Sequence, residues 1–307
     1  MLFIEEGNHN IIKPCAATIG CFDGVHTGHR YLVDQVRNLS DEKGLKAALI
    51  TFPVHPRQVM QSDYLPQLLS CLNQKKKLIG TISNADYCIM LPFTRELSML
   101  TAREFMKILK EKYNVQALVI GHDHRFGHNR SENFNDYLRY GKELGIEIVQ
   151  AKALTGGNGQ SISSSSIRRL LNEGEIETAN SFLGYRYYID GSVISGHKIG
   201  RKIGFPTANI LPSCAEKLIP AQGVYAVYVY VDGHQYKGML NIGNRPTLNN
   251  GSNISIEVHI IDFCQDIYNT SLRIEFVTQV RKEVQFSSVE ELVQQLHKDK
   301  KLIQTII

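Results

Sequence analysis

Short apolar runs alternate with helix-period segments through the first half of the chain. Residues 16–19, 45–52, 86–91, 115–120 and 146–149 read as buried strands. Leu32, Val36 and Leu39 recur at helical spacing, which predicts a helix opening near His29. Thr101 and Glu104 have capping-box spacing ahead of Phe105, Ile108 and Leu109, and a further helix is predicted around 133–144. Strands separated by helices predict a doubly wound parallel sheet, with ligands bound beyond the carboxyl ends of the strands. The first, second and fourth strands run into a histidine-bearing turn, a Pro-Val-His-Pro loop (53–56) and a loop at Gly121. After about Gly184 the period changes to two. Segments 185–194, 224–231, 236–242, 254–260 and 272–280 alternate like strands, and Asp232-Gly233 is a hairpin signal. Ser288 and Glu291 have capping-box spacing before Leu292, Val293 and Leu296. This half predicts a small antiparallel barrel with one closing helix, so a domain boundary is expected at 184/185.

The 307 residues carry 43% hydrophobic and 21% charged side chains and a formal charge of +4, as in an ordinary soluble protein. That charge argues against a nucleic-acid-binding protein and suits small anionic ligands. Lys75, Lys76 and Lys77 form the longest basic run and read as a solvated helix face. The six cysteines are scattered without a Cys-x-x-Cys pair, so buried reduced thiols in a cytoplasmic protein are expected. Neither a basic leader nor an apolar run of roughly 20 residues is present, so no membrane partner is expected. Oligomeric state is left open.

The turn reads Gly20-Cys21-Phe22-Asp23-Gly24-Val25-His26-Thr27-Gly28-His29. A glycine-rich turn between strand and helix leaves backbone N–H groups free at the positive end of a helix dipole, which favours phosphate. His26 and His29 can face the same way across one helical turn and donate to a phosphoryl group. A solvated turn fits His-x-Gly-His equally well. In the loop from Gly121 to Gly127, Arg125 can clamp a phosphate and Phe126 can stack on a ring, although a polar surface loop also fits. Ser163 to Ser166 lead directly into Ile167, Arg168, Leu170 and Leu171. Serine hydroxyls at a helix start followed by Arg168 make a second anion cradle. In the second half, Gly196, Gly200 and Gly204 are spaced four apart with Lys198, Arg201 and Lys202 between them, and no Walker lysine-serine follows. Thr207 and Asn209 are alternate residues of an extended segment, so both can face one Mg²⁺.

Gly-x-Phe-Asp-Gly-Val-His-x-Gly-His resembles the signature of the bacterial bifunctional riboflavin kinase/FAD synthetases, and its His-x-Gly-His core is shared across the nucleotidylyltransferase superfamily. Three further stretches resemble that family's motifs: Gly-x-Asp-x-Arg-Phe-Gly at 121–127, Ser-Ser-Ser-x-Ile-Arg at 163–168 with Ser165 for the usual threonine, and Gly-x-x-x-Gly-Arg-x-x-Gly-Phe-Pro-Thr-Ala-Asn at 196–209. Asn241 to Thr247 and Glu257 to Phe263 continue the series, and Asn269 stands where glycine is usual. The resemblance implies a Rossmann-like nucleotidylyltransferase domain (1–184) that adenylylates FMN to FAD. It implies a β-barrel kinase domain (185–307) that phosphorylates riboflavin to FMN, with ATP and Mg²⁺. It implies catalytic roles for His26, His29, Arg168 and Glu257. ATP or its phosphates would meet Gly20, Phe22, Asp23, Gly28, Ser164, Ser165, Gly196, Lys198, Gly200, Arg201 and Gly204; flavin would meet Asp123, Arg125, Phe126, Asn244 and Arg281; Mg²⁺ would meet Thr207 and Asn209. An adenylyltransferase for another phosphate ester and a non-catalytic flavin-binding regulator are the alternative readings.

Overall fold

A computed structural model describes residues 1–5, 12–60, 67–122, 124–128, 131–154, 161–196, 199–244 and 254–307. Two compact units emerge from the contacts, Met1–Ser164 and Ser165–Ile307.

The first unit carries a six-stranded parallel sheet. Its strands are β1 (Leu2–Ile4), β2 (Cys15–Ile19), β3 (Lys46–Thr51), β4 (Tyr87–Met90), β5 (Val115–Ile120) and β6 (Glu147–Gln150), in the order β1-β4-β3-β2-β5-β6. Ala16 lies opposite both Ala47 and Ala117, so small side chains line the centre of the sheet. Successive residues face opposite sides. Ala17, Ile19, Ala48, Ile50, Leu118 and Ile120 pack on Phe105, Met106 and Leu109 of α5 (Ala102–Tyr113) and on Tyr137 of α6 (Phe134–Leu144). Ala16, Ala47, Ala117 and Val119 pack on Val36 of α1 (Thr27–Glu42). Both faces are therefore covered, as a doubly wound sheet requires. The chain builds outward from β2 through β3 to β4, then returns to the other side of β2 with β5. The order thus reverses between β2 and β5, and the crevice beyond their carboxyl ends is the expected ligand position. α2 (Pro56–Met60), α3 (Leu72–Ile82) and α4 (Arg95–Met99) complete the connections.

α7 (Ser164–Glu173) opens on the last residue of the first unit, and the rest of it belongs to the second with α8 (Ile176–Leu183). Both helices are tied to the barrel: Ala221 N donates to Leu171 O at 3.0 Å, and Asn180 Nδ2 to Phe276 O at 2.9 Å. The barrel comprises β7 (Tyr188–Ile194), β8 (Ala208–Pro212), β9 (Gly223–Val231), β10 (His234–Asn244), β11 (Ile254–Ile260) and β12 (Ser271–Arg281), closed in the order β10-β11-β8-β7-β12-β9. Asp232 and Gly233 both have positive φ, 48° and 82°, which fits a tight hairpin between β9 and β10. Asn269 adopts φ 61°, the left-handed conformation that glycine would otherwise supply. Ile303 of α10 (Val289–Ile306) packs on Phe205, Val224, Ala226, Met239 and Ile261 and closes one end.

Candidate active sites

The turn after β2 is strained and tightly anchored. Phe22 and Val25 have φ of 49° and 39°. For a β-branched residue this is an outlier, costing about 1–3 kcal/mol, and such strain persists only where surroundings impose it. Asp23 supplies the restraint. It is 4% exposed, and its two oxygens accept from Leu69 N (3.0 Å), Ser70 N (2.8 Å) and Ser70 Oγ (3.1 Å). Ser70 Oγ in turn accepts from Gly24 N at 2.8 Å. The sequence reading had Asp23 facing phosphate; in the structure its carboxylate fastens the turn to segment 69–70. Phe22 is fully buried against Gly20, with its ring 5.0 Å from that of His29.

α1 opens two residues earlier than predicted, at Thr27, because His26 is its N-cap: Nδ1 accepts from His29 N at 3.3 Å. The two imidazoles stack with centroids 3.6 Å apart and an interplanar angle of 19°. Burial pushes the His29 pKa well below its usual value, and His26, Lys75 and His124 add to the effect. Since His26 Nδ1 is an acceptor, its proton sits on Nε2. His29 Nδ1 is sealed from solvent and has no hydrogen-bond partner among the described residues, so Nε2 is the better place for its proton too. The pair therefore offers two neutral Nε2–H donors at a helix N-terminus. A Cβ on Gly28 would lie 3.2 Å from Ile162 O, so glycine here lets the serine motif approach the helix start. Ser164 Oγ donates to Asp23 O at 2.9 Å and joins the two motifs. Ser165 and Arg168, the other candidates of that motif, lie on α7 in the second unit.

Lys75, read from the sequence as solvated, is buried. Its ammonium donates to Phe52 O at 2.5 Å and Cys21 O at 3.3 Å, bridging the ends of β3 and β2. A signal was available: Lys75 precedes the buried Leu78 and Ile79 by three and four residues, which puts it on the apolar face of α3. Beside this lies a cleft of about 130 Å³ whose walls include Phe52, Phe93, Leu97, His124, Arg125 and Phe126. Phe126 stacks on Tyr137 (4.4 Å, 7°), and the Tyr137 hydroxyl accepts from Phe126 N at 3.0 Å. Arg125 is exposed, and Asp123 lies outside the described residues.

In the barrel unit Glu257 of β11 stands directly opposite Asn209 of β8, and Thr207 Oγ1 donates to Glu257 Oε2 at 3.2 Å. Thr207 and Asn209 thus supply hydroxyl and amide oxygens, the donor chemistry of a hard divalent cation, with the Glu257 carboxylate beside them. A cluster of three His, Cys, Asp or Glu does not occur among the described residues, so a zinc-type site has no support there. Gly196 lies against the Asn209 amide so closely that a Cβ would collide with it. The glycine-rich segment contains a short helix, α9 (Ile199–Lys202), with Phe205 N returning to Gly200 O at 2.8 Å. Gly204 follows at φ 83° with open space around it, and Lys198 lies outside the described residues. A cleft of about 540 Å³ adjoins Thr207, lined among others by Arg201, Phe263, Cys264, Asp266 and Tyr268. His259, which sequence reasoning left without a role, donates from Nδ1 to Pro206 O at 2.8 Å, and burial lowers its pKa. Two expected flavin contacts have protein partners. Asn244 Oδ1 accepts from Gln222 Nε2 at 2.8 Å, and Arg281 Nε pairs with buried Asp299 at 2.9 Å, tying β12 to α10.

Comparison with known proteins settles the family. A family model described as FAD synthetase matches residues 8–166, and one described as riboflavin kinase matches 183–307. Among curated proteins, "Bifunctional riboflavin kinase/FMN adenylyltransferase" from Listeria monocytogenes is 37% identical, covering 92% of this chain and 88% of that protein. The chain belongs to the bifunctional riboflavin kinase/FMN adenylyltransferase family. The Haemophilus influenzae member is 36% identical over 96% of each chain. A solved structure described as a macrolide-efflux protein from Streptococcus pneumoniae superposes with a TM-score of 0.88 at 26% identity, covering 99% of each chain. That likeness extends to the whole fold. No helix among the described residues is long and apolar enough to cross a membrane.

Proposed function

We propose that the chain makes FAD from riboflavin in two steps, riboflavin plus ATP giving FMN plus ADP, then FMN plus ATP giving FAD plus pyrophosphate. We assign the first step to the domain 185–307 and the second to the domain 1–184. The observation that supports the reading is that two separate groups of polar side chains occur, each within one compact unit. These are the stacked histidines at the head of α1, and the Thr207–Glu257–Asn209 group beside the large cleft.

In the barrel, Glu257 accepts the proton of the flavin 5′-hydroxyl as that oxygen bonds to the γ-phosphorus. The β,γ-bridging P–O bond breaks, and ADP leaves. Thr207 and Asn209 would hold Mg²⁺, which when bound would neutralise charge on the ATP phosphates. The Gly196–Gly204 segment and Arg201 line their approach. In the sheet unit the nucleophile is an FMN phosphate oxygen, already anionic, so no strong base is needed. It bonds to the α-phosphorus of ATP, the bond from that phosphorus to the bridging oxygen breaks, and pyrophosphate leaves. His26 and His29 donate Nε2–H to the transferring phosphoryl group, and Ser164, in the same unit, would meet the departing pyrophosphate. The cleft at Phe126 suits the apolar flavin ring. An ATP-dependent reaction of this kind suits the cytoplasm.

Two substitutions separate the halves. Glu257→Gln abolishes FMN formation and spares FAD formation from supplied FMN; retained kinase activity would sink the assignment. His29→Ala does the converse, and equal loss of both activities would contradict separate roles for the two groups.

A further inference from the structure

Lys75 is a buried charge at the ligand crevice that the reactions above do not use. An ammonium is disfavoured twice at this position. It is 7% exposed, and it lies in the first turn of α3, where the helix dipole repels a cation. A methionine would fill the same space at neither cost. What the lysine supplies is a bridge. Cys21 O belongs to the histidine turn after β2, and Phe52 O precedes the Pro53–Pro56 loop after β3. One group therefore fixes the spacing of two of the three strand ends that meet at the ligand crevice. The same ammonium lines a small pocket with Asp23, His55 and Ser70.

We propose that Lys75 is a positioning residue for adenylyl transfer: its ammonium clamps the carbonyls of Cys21 and Phe52 and so holds the His26–His29 pair in register with the Pro53–Pro56 loop. The proposal rests on the reading of this unit as the FMN adenylylation site. Its charge also acts on His29 directly. The titratable groups that face His29 are His26 on its own helix start, Lys75 on α3 and His124 on the loop after β5; those facing Lys75 are Cys21, Asp23 and Cys88. A cation at Lys75 helps keep His29 neutral, the state in which stacked imidazoles do not repel.

The test uses the full chain with Lys75→Met, Lys75→Gln and Lys75→Arg. FAD formation from supplied FMN, FMN formation from riboflavin, and the NMR titration of the His29 ring are measured on each. Lys75→Met is expected to lower kcat for FAD formation at least tenfold, leave FMN formation unchanged, and move the His29 titration to higher pH. Lys75→Arg, which keeps the charge, restores part of both. FAD formation within twofold of wild type in Lys75→Met overturns the proposal, as does a loss of activity with the His29 titration unmoved. Should Lys75→Met lose both activities, Lys75→Gln is read in its place, since it removes the charge while keeping a polar side chain at the position; an unmoved His29 there overturns the proposal equally. A wild-type protein that makes no FAD refutes the functional reading instead, and the His29 titration still reports on Lys75.

Discussion

Replacing Asp23 by asparagine keeps the shape of the side chain and removes one of its two acceptor oxygens. The remaining oxygen is best kept toward Ser70, where it serves N at 2.8 Å and Oγ at 3.1 Å. The new amide nitrogen then faces Leu69 N, formerly a donor at 3.0 Å to the carboxylate. One charge-assisted hydrogen bond is lost, worth about 1.5–3 kcal/mol, two others weaken, and two buried donors confront each other. The sum is about 2–4 kcal/mol. For a unit of this size that corresponds to a fall in midpoint of roughly 5–10 °C. The assay is thermal inactivation of both activities in one sample: Asp23→Asn is heated in steps, then residual FAD formation from FMN and FMN formation from riboflavin are read. FAD formation is expected to fail at a temperature lower by that amount, with FMN formation tracking wild type. Unchanged thermal inactivation with a large rise in KM for ATP would refute the reasoning, because the carboxylate would then be a substrate contact and not an anchor.

Gly196→Ala places a methyl group against the Asn209 amide and is expected to cut FMN formation at least tenfold while FAD formation from FMN persists; near-normal kinase turnover would count against Asn209 as a working ligand. Burial holds the folded-state pKa values of His29 and His259 below the usual histidine range, so as pH falls below about 6.5 the unfolded chain takes up protons that the folded chain refuses, and stability declines. The melting temperature should therefore drop between pH 7.5 and 5.5, and a flat or rising value would contradict the burial of these rings. Exposed Cys264 should be alkylated by iodoacetamide well before Cys15 and Cys88, whose thiols burial pushes up to about 12, and ADP should slow labelling at Cys264 because it lines the large barrel cleft. Peptide mapping by mass spectrometry checks both statements.

The parts of this molecule legible in its sequence are those set by local chemistry. Period and flanking breakers located β2 to β6, and Thr101 and Glu104 form the capping box their spacing announced, with Thr101 N on Glu104 Oε2 at 2.9 Å. Ser288 caps α10 as expected, although Glu291 returns to Ser287 instead of Ser288. The histidine pair and the Thr207, Asn209, Glu257 group came from motifs because adjacent or in-register positions bring them together. The features that escaped depend on partners distant in the chain. β1 is three residues long, and only its parallel pairing with Tyr87, Cys88 and Ile89 of β4 makes it a strand. The hydrogen bonds that Asp23 accepts from segment 69–70 come from residues 46 and 47 positions along the chain. Lys75 hides in a basic run whose neighbour, Lys76, does reach outward, to Glu5 at 2.5 Å. Charge count alone cannot separate the two; the helical phase could have.

The most direct measurement is one incubation of the purified chain with riboflavin, ATP and Mg²⁺, with flavins separated by chromatography over time. FMN should rise first and FAD should follow at its expense, with one ADP released per FMN made and one pyrophosphate per FAD. Riboflavin left unphosphorylated, or FMN that accumulates without ever becoming FAD, would contradict the account of two phosphoryl-transfer sites on one polypeptide.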